Sequence, residues 1–142
     1  MAREMGMTLR ISRSVADAIL AEARAGGSRE VCGLLFGSAT RIDTALRCAN
    51  VAETPHRAFE IDSAALLAAH RAARGGGPRI AGCYHSHPSG TATPSLRDAA
   101  AAAPDGWLWV IAGGGALAAF RAVAAGAIHG RFDPVPLVID EG

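Results

Sequence analysis

Short apolar runs alternate along this chain with helix-patterned segments, and glycine or proline stops most of them. Strands repeat every two residues and helices every 3.6, so such elements can bury their apolar sides only by stacking as layers. Alternation over residues 7–12 predicts a first strand, and Ser14 predicts the cap of a helix over 15–25 that Gly26 and Gly27 end. Residues 31–37 read as a buried strand and 41–49 as its partner. After a loop over 50–57, residues 58–61 read as a short strand, and Asp62 or Ser63 caps a helix to Arg74. The run Gly75-Gly76-Gly77-Pro78 follows a helix instead of a strand, so it is a helix stop and not a phosphate cradle. Residues 79–85 predict a buried strand and 95–103 a short helix. Residues 107–112, 117–123 and 127–132 predict three more strands, and 135–139 a segment paired at an edge. No repeat or linker breaks this order. The expectation is a single α/β domain over residues 1–142, with its core at about 7–139: a layered mixed β-sheet flanked by helices.

Composition narrows the function. Half of the residues are apolar, but 32 are alanine and seven aromatic, so a limited set of larger side chains must pack closely around small ones. A net charge of +1 excludes a disordered polyelectrolyte and argues against a general grip on nucleic acid. All 14 basic residues are arginine, which excludes a Schiff-base lysine. The longest apolar tract, over 107–119, is broken by Gly113-Gly114-Gly115, so no membrane span is expected. The first residues carry no apolar signal region, and Cys32, Cys48 and Cys83 form no C-x-x-C pair. Both features predict a cytoplasmic protein with free thiols.

One segment carries chemistry: His85-Ser86-His87-Pro88-Ser89-Gly90, followed by Pro94-Ser95-Leu96-Arg97-Asp98. On an extended chain His85 and His87 point the same way and form a two-point clamp for a transition metal. Pro88 and Gly90 turn the chain back, and Asp98 falls in the first turn of the next helix. Two imidazoles and one carboxylate suit zinc and leave a fourth position for water, the mark of a catalytic site. A plainer reading stands beside it, because Ser95-x-x-Asp98 is also a capping box. The two are compatible in part, since a carboxylate has two oxygens.

His-Ser-His-Pro, with ten residues between its second His and Asp98, and Asp98 within Ser-x-x-Asp resemble the signature of the JAMM/MPN-plus zinc metallopeptidases. The likeness extends over Glu30-Val31-Cys32-Gly33-Leu34-Leu35-Phe36-Gly37, over Asn50 with Phe59-Glu60-Ile61-Asp62, and over the late strand at 117–123. It implies a cytidine-deaminase-like layered sheet and one Zn2+ per chain held by His85, His87 and Asp98. It also implies Glu30 as general base and acid, and Ser95 as the hydroxyl that steadies the oxyanion. Without the resemblance, Glu30 would read as an ordinary solvated charge at a strand edge.

For a small bacterial-type member, the resemblance implies an isopeptidase acting after the C-terminal glycine of a ubiquitin-like, sulfur-carrier-type protein. An extended tail could bind by adding a strand at a sheet edge near the site. The alternative is a RadC-like or other non-peptidase MPN domain, a DNA-repair-associated or binding module, suggested by His-Pro-Ser-Gly and Thr-Pro-Ser. A deaminase would need His-x-Glu and Pro-Cys-x-x-Cys, and this chain has neither. Cys32 and Cys83 lie two residues from Glu30 and His85; they read as small buried residues, with a redox role as the alternative. His56, His70 and His129 stand alone and are given no role. The sequence leaves the oligomeric state open, a homodimer among the options.

Overall fold

The structure, a computed structural model, describes residues 8–141. Met7, the predicted start of the first strand, and the N-terminal residues read for a signal lie outside them. The described elements are β1 (Leu9–Ser12), α1 (Arg13–Ala25), β2 (Cys32–Gly37), β3 (Arg41–Cys48), α2 (Ser63–Arg74) and β4 (Ile80–His87). They continue with α3 (Leu96–Ala101), β5 (Leu108–Gly113), β6 (Ala116–Gly126), β7 (Gly130–Val135) and β8 (Leu137–Asp140). The strands form one mixed sheet in the order β7-β6-β5-β4-β2-β3-β1-β8. β4 and β5 run parallel, whereas β2 is antiparallel to both of its neighbours.

Alternation along the strands sorts two apolar layers. Leu35, Tyr84, Leu108 and Val110 face α1, joined there by Ile19 of the helix and by Leu9 and Ile11 of β1. Cys83, Trp109, Ile111 and Phe120 face the other way, toward α3, while Leu34 and Cys48 pack with Ala69 of α2. β7 and β8 stand at opposite ends of the strand order, yet only Pro136 separates them. The sheet therefore curls until its ends approach, and α1 sits inside the curl against residues as distant in the order as Leu9 and Val135. Small residues make this possible: a Cβ on Gly33 would run into the Tyr84 ring and the Leu46 carbonyl.

The layered mixed α/β sheet is the expected fold, with local corrections. Ser12, not Ser14, caps α1: its Oγ accepts from Val15 N–H at 3.3 Å, because the chain passes from strand to helix without a loop. Asp62 takes the cap position of α2 but makes no side-chain cap bond. Residues 58–61 are no strand beyond the Asn50–Ile61 bridge, because the Asn50 amide takes their hydrogen bonds, donating to Ala58 O and accepting from Glu60 N–H. Residues 127–129 form a turn, and the strand expected over 127–132 starts at Gly130. The edge segment expected over 135–139 is β8, which begins at Leu137 because Val135 belongs to β7, and it pairs with β1. β4 lies in the interior of the order, so an incoming tail finds no sheet edge beside it.

Candidate metal centre and active site

β4 extends two residues past the expected end at His85, because Ser86 and His87 keep pairing with Ala112 and Gly113 of β5. The strand period therefore applies through the motif and places His85 and His87 on one face, as the spacing predicts. Asp98 meets them from the first turn of α3. His85 Nε2 lies 3.1 Å from His87 Nε2, and each lies 3.1 Å from Asp98 Oδ2. Ligand atoms of a tetrahedral zinc ion, at about 2.0–2.1 Å from the metal, are about 3.3 Å apart.

The hydrogen bonds define which atoms are acceptors. His87 Nδ1 lies 2.9 Å from the Thr91 carbonyl oxygen, which only accepts, so Nδ1 is the donor there and Nε2 is the nitrogen left to donate to Asp98 or, once deprotonated, to face a metal. Burial opposes ionisation of Asp98, yet the bonds to His85, His87 and the Ser95 N–H hold its pKa well below the usual carboxylate range. Burial would lower the pKa of His87, but Asp98 and the Thr91 carbonyl outweigh it and raise it. Acceptors that draw in positive charge this way fit a divalent cation. His85 is aimed by packing: Phe59 stacks on it at 4.2 Å between centroids, and Trp109 meets it edge-on at 5.7 Å. Its buried Nδ1 has no hydrogen-bond partner, and burial lowers its pKa.

The capping box and the metal-type cluster coexist on one residue. Ser95 Oγ accepts from Asp98 N–H at 3.0 Å, and Ser95 N–H donates to Asp98 Oδ2 at 3.0 Å. Because Oγ is the acceptor there, the Ser95 hydroxyl hydrogen stays available to a further acceptor.

Glu30 is buried, not the solvated charge that its sequence context suggests: 8% of it is exposed, and Oε1 is buried with no hydrogen-bond partner. Burial pushes its carboxyl pKa up to about 7. Its N–H donates to the Pro55 carbonyl at 2.7 Å, and the Asn50 Nδ2 donates to its carbonyl at 2.9 Å. Glu30, His87 and Ser95 line one cleft of about 290 Å³, so the structure brings together the residues singled out from sequence. The cleft also takes in His56 and Arg57. Sequence reasoning passed over His56, Asn50 as a strut, the aromatic wall of Phe59 and Trp109, and Ser86. Ser86 carried a signal, because period two turns it away from the histidines toward a separate partner. Cys32 and Cys83 lie on the His85 side of the sheet, and burial pushes Cys32 up to about 12 and raises Cys83, which favours their plain reading as thiols in the core.

Fold and site together define a class, an enzyme of the JAMM metallopeptidase type. The chain belongs to the family described as prokaryotic homologs of the JAB domain, which matches residues 12–125. It is 33% identical over 109 residues to a protein of Haloferax volcanii named desampylase, covering 72% of this chain and 78% of that one. It is 32% identical over 93 residues to a Thermus thermophilus protein named probable TtuB-protein conjugate cleaving protease, covering 66% of this chain. That match spans 62% of the Thermus protein, a little under two thirds of its length. Among solved structures, a Desulfitobacterium hafniense protein aligns with TM-score 0.79 at 23% identity, over 94% of each chain. The structure reported as "JAMM: A Metalloprotease-like Zinc Site in the Proteasome and Signalosome" aligns with TM-score 0.55 at 18% identity, over 92% of this chain and 98% of that one. Among the described residues no helix is long and apolar enough to cross a membrane.

Proposed function

We propose that this chain is a zinc metallopeptidase that hydrolyses the amide bond after the C-terminal glycine of a ubiquitin-like, sulfur-carrier-type protein. The described residues, 8–141, form a single catalytic domain. The observation that carries this reading is the triangle of His85 Nε2, His87 Nε2 and Asp98 Oδ2, 3.1 Å on each side. These atoms would hold one Zn2+ per chain, and a three-residue donor set would leave room for solvent or substrate. When bound, zinc supplies a Lewis acid that makes water nucleophilic near neutral pH.

The chain's own groups do the remaining work. Glu30 Oε1 takes the proton from the attacking water and returns it to the leaving amine, both of which suit a carboxyl group raised to about 7. The Ser95 hydroxyl donates to the oxyanion as it develops, a contribution of about 3 kcal/mol for a well-placed donor. The indole of Trp109 and the ring of Phe59 keep bulk water from His85. The names of the two relatives favour protein conjugates as substrates over the DNA-repair-associated alternative. Unpaired Cys32, Cys48 and Cys83 support a cytoplasmic setting.

The test is cleavage of a ubiquitin-like carrier fused through its terminal glycine to a reporter. Zinc-loaded wild type cleaves it, and Glu30→Gln keeps its zinc while losing nearly all turnover. Cleavage by Glu30→Gln at the wild-type rate contradicts the base assignment. A zinc-loaded wild type that leaves every glycine-ended carrier intact contradicts the substrate class.

A further inference from the structure

We propose that His129 is a positioning residue for the site, holding Asp98 in place through the single peptide unit that joins Pro94 to Ser95. The inference rests on the reading of Asp98 as a metal ligand. His129 lies in the turn between β6 and β7 and has φ 52°, the left-handed region where glycine is at ease and other residues are uncommon. Its Nε2 lies 3.0 Å from the Pro94 carbonyl oxygen, a contact across 35 residues of sequence. A carbonyl only accepts, so Nε2 is the donor.

Pro94 has no N–H, which makes this carbonyl its one backbone hydrogen-bonding group. The Pro94 carbonyl and the Ser95 N–H belong to the same planar peptide. The Ser95 N–H donates at 3.0 Å to Asp98 Oδ2, the oxygen that faces both imidazoles at 3.1 Å. Pinning the carbonyl end stops the plane from rotating, so the N–H keeps its aim at the carboxylate. Donation to the carbonyl also polarises the peptide and makes its N–H a stronger donor. His129 thus reaches the site without touching it. The link crosses from the β6–β7 turn to the first turn of α3, which is why sequence spacing gave this histidine no role.

His129→Gly separates site support from fold support, because it removes the donor and at the same time relieves the positive φ. The expected variant stays folded and melts within a few degrees of wild type, relief of the positive φ offsetting much of the lost hydrogen bond. It binds zinc about three- to tenfold more weakly in a chelator competition, a smaller loss than the 10–100-fold typical of a group bonded directly to a ligand. In the metal-free protein its Ser95 amide proton exchanges faster and moves upfield, and kcat falls while KM stays. His129→Gln keeps a side-chain N–H donor and restores part of these losses. A folded His129→Gly with unchanged zinc affinity and an unchanged Ser95 amide overturns the proposal. A wild-type chain that takes up no zinc counts against the metal reading alone, because the Ser95 amide, read without metal, still decides the role of His129.

Discussion

Val31 and Ser86 exchange two hydrogen bonds: the Val31 N–H donates to Ser86 Oγ at 2.9 Å, and the Ser86 N–H donates to the Val31 carbonyl at 3.1 Å. This pair fastens the residue after Glu30 to the residue between His85 and His87, joining the acid to the imidazoles across 55 positions of sequence. Ser86 is 2% exposed, so water cannot replace its hydroxyl. Ser86→Ala strands the Val31 N–H and costs about 1–3 kcal/mol of stability. The variant is expected to keep its zinc, since the donor atoms remain, and to lose turnover about tenfold or more as Glu30 drifts. Urea unfolding, zinc content and kcat measured together check this; wild-type kcat in a destabilised variant contradicts it.

The His87 imidazole depends on a glycine it does not touch. A Cβ on Gly113 would lie 2.6 Å from the Thr91 carbonyl carbon and 2.8 Å from its oxygen, backbone atoms that can give way only if the chain itself shifts. That same oxygen accepts from His87 Nδ1 at 2.9 Å. Gly113→Ala is expected to push the Thr91 carbonyl away and weaken zinc binding about 10–100-fold, the loss typical of a broken partner to a metal-binding histidine. Chelator competition measures it, and unchanged affinity in a folded Gly113→Ala protein rules this coupling out.

Burial of Glu30 has a consequence for stability in the metal-free protein. Its pKa is about 7 when folded, above the ordinary 4.5, so the folded state holds this proton more tightly than the unfolded one. The stabilisation from holding it is complete below pH 4.5 and is lost as pH rises through 7. Glu30→Gln has no proton to lose. Relative to wild type it should gain stability between those pH values and level off above them, by up to about 3 kcal/mol. Urea unfolding of chelator-treated protein at acid and mildly alkaline pH reads the difference, and a gap that does not change with pH contradicts it.

The sequence made the histidine pair legible because both residues obey the period of two on a single strand. Asp98 was legible because a cap and a metal-type ligand favour the same first-turn position, and the two bonds to Ser95 show the box intact. Local rules reached less far where the chain departs from the commonest pattern. β4 continues through polar Ser86 and His87 because β5 continues beside it, which no periodicity within residues 79–87 could announce. The cap moved from Ser14 to Ser12 because strand and helix share a junction. Glu30 looked exposed because its burial comes from the 50–60 loop, folded back by Asn50. The curl of the sheet depends on one residue, Pro136, between strands at opposite ends of the order, and such closure is a property of the whole topology.

The most direct measurement of the central claim is the zinc content of the purified chain, determined beside that of His87→Ala. Wild type is expected to hold about one zinc per chain and the variant close to none, with both proteins folded. Stoichiometric zinc retained by His87→Ala, or a wild type that cleaves its substrate at full rate with its metal removed, would contradict the claim.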